Sequence, residues 1–480
     1  MRFSPTLLTL AIACLAAAVA GAQPMPAGMP QQPQQLLLQR PETLASPAPM
    51  AAPGSLTLAD LEAMAFGGNP TLPQAGAAIE QQRGVWQQSG LYPNPQMGYL
   101  RGDASRADQS RTNGMFVSQE FVTAHKRQLA RAVEAQEIGR LTWEQEAQRM
   151  RVRNDLHIRY FEVIAAQQAI AQATALLGVA EEGVRVAEDF QRANLGAKID
   201  VLQSRIQRNV VRASLADAQF RYQAAWVQLT TIVGQPGLAP IHVEGSLEGP
   251  LPQLEWNECL NRLMASSPQL RAAEMRLSHA QAELRRERAA PIPNVTLQTV
   301  TEYDKTNDST NISTLVALPV PLFNRNQGNI YHAGADIREA QAEIERVRLV
   351  LRDTLADSFR RYQAARNSVE QLRAEILPDA AENLDLTARG YRAGEFDFAR
   401  VLSARQTYFQ SNLAYIESLA ELRKLAVEID GLQLTGGLNP ASLGAAIQSG
   451  GGFRQQGLLN QLQDSATKPL LPPAVQGATP

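Results

Sequence analysis

Asp155-Leu156-His157-Ile158-Arg159-Tyr160 and Asp357-Ser358-Phe359-Arg360-Arg361-Tyr362 lie 202 residues apart and share Asp, Arg and Tyr at matching places. Asn69-Pro70 with Leu72, followed by Pro93 and Pro95, recurs as Ser267-Pro268 with Leu270, followed by Pro291 and Pro293, at an offset of 198. Arg192-Ala193, Val201-Leu202 and Arg205 recur as Arg392-Ala393, Val401-Leu402 and Arg405 at an offset of 200. Three matches in one order at a nearly constant offset mark a duplicated unit. The period is far too long for a solenoid repeat. The chain is therefore two similar halves, over 55–240 and 250–435.

Each half opens with a helical pattern, Leu58–Ser89 and Leu254–Ala290, ending at a Pro-x-Pro that cannot continue a helix. Two extended segments follow. Val295, Leu297, Thr299, Thr301 and Tyr303 alternate onto one face, and Ile312, Thr314, Val316 and Leu318 do so on the returning strand. The first half carries Met97 and Tyr99, a polar loop over Asp103–Asn113, then Met115 to Phe121. Long helical stretches come next, Thr123–Asn194 and Gln327–Ala393. Their seams recur every seven residues at Leu156, Val163, Ile170 and Leu177, and at Leu355, Tyr362, Val369 and Ile376. Pro378 is expected to kink or restart the second of them. Glycine turns at Leu195-Gly196 and Ala393-Gly394 lead into return helices, Ile199–Val233 and Phe396–Leu432. Gly196 is expected to adopt positive φ.

The ends differ in kind. Arg2 and the apolar run Leu7–Ala20, closed by Ala20-Gly21-Ala22, read as a signal peptide over 1–22. Cleavage after Ala22 is the first reading and lipidation at Cys14 the alternative; Ala11 stands where a lipid-attachment site usually has leucine. Without Cys14 the mature chain keeps only Cys259, so no intrachain disulfide forms. Residues 23–54 are a Pro/Gln-rich linker and 436–480 a Gly/Pro/Gln-rich tail, both expected to be disordered. A net charge of -2 with both signs interspersed gives no nucleic-acid footprint. Beyond the leader no run of 18 uninterrupted apolar residues occurs, so no transmembrane helix is expected.

Four strands of about ten residues have the length of tilted membrane strands. Four cannot close a barrel, and an open edge does not survive in lipid, so several chains must share one barrel. Three copies give twelve strands, and helices of about 100 Å extend away from the membrane.

At these residues the chain resembles the TolC-like outer-membrane efflux channel family. Leu56-Thr57-Leu58 and Asn69-Pro70 are similar to its opening helix. The run Leu318-Pro319-Val320-Pro321-Leu322-Phe323-Asn324-Arg325-Asn326-Gln327-Gly328 resembles the strand-to-helix segment of the branch serving heavy-metal resistance pumps (CzcC-like). Its first-half counterpart runs from Gln119-Glu120-Phe121 through Lys126-Arg127. Gly390-Tyr391-Arg392-Ala393-Gly394 followed by Val401-Leu402 looks like the family's periplasmic turn. The likeness covers about 55–435. It implies a mainly α fold with a small β part, assembled as a homotrimer with a twelve-stranded barrel in outer-membrane lipid and a helical tunnel in the periplasm. It further implies a passive exit duct served by an inner-membrane RND-type pump through a periplasmic adaptor (membrane fusion) protein, with metal resistance as one branch.

The resemblance carries adaptor docking onto the turns at Leu195, Gly196, Tyr391 and Gly394. It carries a periplasmic gate onto Asp200, beside Val201-Leu202. In the second half Arg400 and Ser403 stand where the family has acidic residues, and Asp397 is the alternative carboxylate. Arg400 and Tyr391 are the neighbours expected to relieve repulsion around a ring of Asp200 copies.

His125, His157, His242, His279 and His332 are scattered and form no ligand spacing with one another or with cysteine, so no metal site or cofactor is expected. No nucleophile elbow, phosphate loop or dinucleotide fingerprint occurs, and the chain is read as no enzyme. The rival classes are a periplasmic adaptor and a coiled-coil spacer. An adaptor would show one hairpin flanked by glycine-rich β-domains, and a spacer would need no Pro-x-Pro strand pairs.

Overall fold

Both halves follow the order helix, strand, strand, long helix, turn, return helix. The computed structural model describes residues 56–102, 112–193, 196–250, 252–305, 308–393, 395–396 and 398–440. The leader at 1–22, the linker at 23–54, Leu195, Gly394, Asp397 and most of the tail lie outside the described residues.

The opening helix of each half is two helices. Helix α1 (Leu58–Gly68) starts at a capping box, in which the Thr57 hydroxyl accepts from the Asp60 N–H at 3.3 Å and Asp60 accepts from the Thr57 N–H at 3.1 Å. It stops before Asn69-Pro70, and α2 (Thr71–Ser89) restarts the chain. In the second half α5 (Trp256–Ser266) stops before Ser267-Pro268 and α6 (Pro268–Ala289) follows. A residue before proline is pushed out of the helical region, and Asn69 and Ser267 sit at ψ 120° and 118°. Both are buried and used as caps: Asn69 Oδ1 accepts from the Thr71 N–H at 3.0 Å, and Ser267 Oγ accepts from the Leu270 N–H at 3.4 Å.

Strands β1 (Gln96–Gly102), β2 (Thr112–Phe121), β3 (Val295–Asp304) and β4 (Ser309–Ala317) form one antiparallel sheet in sequence order. The register puts Met97, Tyr99, Met115, Thr301, Ile312 and Val316 on one face through pairs such as Tyr99 with Met115, Met115 with Thr301, and Thr301 with Ile312. The opposite face carries Gln96, Ser118, Gln298, Glu302, Asn311 and Ser313 beside Phe116 and Leu315. Gly98 leaves room for the Phe116 ring across the strand.

Each long helix follows its strand pair through a left-handed residue, His125 at φ 56° and Asn326 at φ 60°. Helix α3 (Lys126–Arg192) has 67 residues, about 100 Å of rise. One 18-residue window of it reaches a mean hydropathy of 1.4, enough by length and composition to cross a membrane, which a search for uninterrupted apolar runs does not register. Helix α3 packs along the return helix α4 (Lys198–Val233) on one side and α9 (Phe398–Asp430) on the other. Helix α7 (Gln327–Gln371) passes through one π-helical turn, Leu372–Ile376, into α8 (Leu377–Arg392). Pro378 in the first turn of α8 donates no N–H, and the widened turn lets the helix run on past it.

The core clusters where the halves meet. Leu156, Val163, Leu229, Leu263, Leu355 and Leu425 are all fully buried there. The chain beyond 435 joins this core. Asn154 Nδ2 donates to the Gly431 and Leu434 carbonyls at 2.9 and 2.7 Å, and Asp155 accepts from the N–H groups of Gly436 and Gly437. Buried Gln148 donates to the Gly437 carbonyl at 2.9 Å, so packed structure extends to about 440 rather than ending at 435.

Candidate functional site

Of the residues singled out in the sequence, Gly196, Asp200, Tyr391 and Arg400 lie at or beside the two helix turns, and Leu195, Gly394 and Asp397 lie outside the described residues. In the first, the Ala193 N–H donates to the Asp189 carbonyl at 3.0 Å and the Gly196 N–H to the Phe190 carbonyl at 3.1 Å, closing α3. Gly196 does not adopt positive φ, contrary to the expectation; among the described glycines only Gly234 and Gly436 do. Its constraint is steric. A Cβ there would lie 3.1 Å from Phe190 Cβ and 3.4 Å from the Gln191 nitrogen, because the turn folds back onto the last turn of α3.

Helix α4 begins at Ala197 without a side-chain cap from that residue, and Asp200 supplies the missing acceptor. Its carboxylate accepts from the Ala197 N–H at 3.2 Å, and its negative charge faces the helix N-terminus. Asp200 is half-buried and also acts across the hairpins. The Tyr391 phenol is pushed above its ordinary range, first by burial and then by the neighbouring Asp200 charge.

In the second turn the Glu395 N–H donates to the Gly390 carbonyl at 2.8 Å. Gly390 is buried, and a Cβ there would collide with the Phe396 ring. The Arg400 guanidinium lies over that ring, 4.6 Å from its centre. The structure thus unites Asp200 with Tyr391 and Arg400 with Phe396. Phe396 and Gly390 were missed as site residues; the signal available was a bulky aromatic six residues after a glycine across a turn.

Asn326, within the segment that most resembles the heavy-metal branch, holds the start of α7 to the end of α6. Its Nδ2 donates to the Glu287 carbonyl at 2.9 Å and to Glu287 Oε2 at 2.6 Å. That asparagine takes the left-handed position between strand and helix, which Asn tolerates better than most residues. Among the described residues no group of three or more His, Cys, Asp or Glu is arranged to hold a metal ion.

Residues 259–431 match the family described as "Outer membrane efflux protein". The chain is 27% identical over 387 residues to the cobalt-zinc-cadmium resistance protein CzcC of Cupriavidus metallidurans, across 80% of this chain and 91% of that protein. Its fold is similar to the outer-membrane channel OprN, with a TM-score of 0.66, 19% identity, and 80% of this chain and 91% of the other covered. The CusC structure gives a TM-score of 0.67 at 16% identity, covering 79% and 92%. An adaptor or a spacer would share neither the sheet that continues the helices nor these matches. Residues 259–431 thus carry the pattern of the outer membrane efflux protein family, and the chain as a whole has the fold of outer-membrane channels such as OprN and CusC.

Proposed function

We propose that three copies of this chain form one duct, each supplying a third of a twelve-stranded barrel. The observation that carries this is the order of the layers. Strands β1, β2, β3 and β4 continue helices α2, α3, α6 and α7, which neighbour one another in that same order. Both layers are therefore open at the same two ends, β1 with α2 and β4 with α7. One head-to-tail rotation closes both. Further from the sheet the row is α4, α3, α9 and then α7 with α8. Its end helix α4 leaves Ile199, Ile206, Phe220 and Val227 exposed at multiples of seven residues, the spacing of a coiled-coil seam. The far end exposes Leu349, Val350 and Leu386. In the barrel, Met97, Tyr99, Met115, Ile312 and Val316 would face lipid and the more polar face would line the lumen.

In this reading the N-terminal signal directs export, and the helical tunnel stands in the periplasm. The adaptor docks at the turns built on Leu195, Gly196, Tyr391 and Gly394, and an RND-type pump drives transport. Asp200, capping its own helix start with its charge felt by Tyr391, and the Arg400–Phe396 stack form the narrow end, with Asp397 as a further carboxylate. Similarity to a cobalt-zinc-cadmium resistance protein supports divalent metal cations as the cargo.

Planar-bilayer recording tests the gate. Asp200→Ala is expected to change closed-state conductance and to weaken block by divalent cations. Unchanged conductance, block and selectivity would leave Asp200 as a helix cap alone and move the gate to Asp397.

A further inference from the structure

The two hairpins have lost one symmetry that their duplication predicts. In the first, Arg205 on α4 reaches back to Glu188 on α3, with Nη2 and Nε at 2.7 and 3.2 Å from Oε1. The bridge spans 17 residues across the turn and ties the hairpin together. At the repeat offset of 200, Arg205 becomes Arg405 and Glu188 becomes Ala388. The arginine is kept and its acid is gone.

Arg405 does not replace that partner. Among the described residues no hydrogen bond or ion pair is made by its guanidinium, and Arg405 is half-buried. It turns from its own hairpin toward the first one, lining a cavity of about 20 Å³ with Leu176, Val179, Gly183, Ser204 and Val211. Burial lowers its pKa from the ordinary guanidinium value. The methylene stem packs well against an apolar wall, but withdrawing an uncompensated charge from water is unfavourable.

We propose that Arg405 makes the contact between the two hairpins a release seam: an arginine deprived of its intra-hairpin acid is wedged between them, so the hairpins part at low cost. The inference rests on the duct reading, in which the hairpin ends border the exit path, and it names how their separation is set. An arginine that merely glued the hairpins together would behave oppositely on substitution, and this makes the seam testable.

The experiment uses the full chain in detergent with Cys259, which is buried, replaced by Ala. Ser204→Cys and Leu402→Cys are introduced on opposite sides of the cavity, and the rate of joining by a short bifunctional maleimide is followed. Arg405→Met keeps the stem and removes the charge; it should speed cross-linking about fivefold, a factor that about 1 kcal/mol supplies. Ala388→Glu restores the acid and should draw Arg405 back along its own hairpin, taking the unpaired charge out of the seam and speeding cross-linking by a similar factor, whereas Ala388→Gln should not. Slower joining in Arg405→Met, or equal effects of Ala388→Glu and Ala388→Gln, would overturn the seam. Single-channel conductance of the same variants separates the two readings. Cross-linking that responds as expected while conductance does not would uphold the seam and remove the hairpin ends from the gate.

Discussion

Tyr160 and Tyr362, at equivalent positions of the two halves, both donate their phenolic hydrogen into the single connection between those halves. Tyr160 donates to the Glu244 carbonyl at 2.8 Å and Tyr362 to the Pro252 carbonyl. Tyr362 Oη also accepts from the Leu254 N–H at 3.2 Å. The duplication thus fixes its own linker, each long helix holding one end of it. Removing either hydroxyl takes away a part-buried hydrogen bond to the linker. Tyr160→Phe and Tyr362→Phe should each cost about 1 kcal/mol, and Tyr362→Phe the more because it loses two partners. Thermal unfolding of the detergent-solubilised protein measures this, and equal stability of both variants to the parent would dissociate the tyrosines from the linker.

The strap formed by residues 431–437 should be a stability element. Asn154→Ala leaves the Gly431 and Leu434 carbonyls without their donor in a buried site, so a loss of about 2 kcal/mol is expected. Limited proteolysis should then cut within the strap before the helices. Protection of the strap equal to that of the parent would show that Asp155 and Gln148 hold it without Asn154.

Acid should weaken the packing of α6 on α3 through His279. Burial depresses its pKa from 6.5, against the opposing pull of Glu137 and Glu134 and with the help of Arg140 and Arg286. Below pH 6.5 the unfolded chain takes up a proton that the folded chain refuses, so stability declines as pH falls toward the depressed value. Glu137, also held below its ordinary 4.5, stays ionised through that window. Glu144, raised by burial, acts in the opposite sense. The difference between parent and His279→Gln isolates the histidine: the variant should lose less stability between pH 7 and pH 5, conditions set by the experimenter around the ordinary imidazole value of about 6.5. A parallel decline in both proteins would acquit His279.

Gly196→Glu should abolish export while leaving assembly and membrane insertion intact. Its side chain starts 3.1 Å from Phe190 Cβ and places a charge on the proposed docking surface. Gly196→Ala, with a Cβ only slightly too close, should retain export. Unimpaired export with glutamate would take the first turn out of the docking surface.

The plan of the fold was legible because the duplication repeats its punctuation. Pro-x-Pro ended the opening helices and a glycine stood at each turn, and α3, α4, β3 and β4 lie close to where those signals put them. The breaks at Asn69 and Ser267 were not read, since the apolar pattern continues across them; the proline's effect on its preceding residue was the available clue. Packing beyond 435 was hidden because Gly436 and Gly437 look like linker, and the groups that recruit them, Thr71, Gln148 and Asp155, are far away in sequence. At the turns, Asp200 and Tyr391 were named through resemblance alone. The helix-capping role of Asp200 and the Arg400–Phe396 stack depend on backbone placement across a turn. Ala388 carried no signal by itself; it became informative once the Arg205–Glu188 bridge showed what its position could have held.

The account stands on one protomer being a third of a closed barrel, and the mass of the detergent-extracted complex tests it most directly. Native mass spectrometry combined with circular dichroism should give three mature chains per particle, with the β-signal lost when heat separates them. A stable monomer that retains its β-signal would contradict the shared barrel and, with it, the duct.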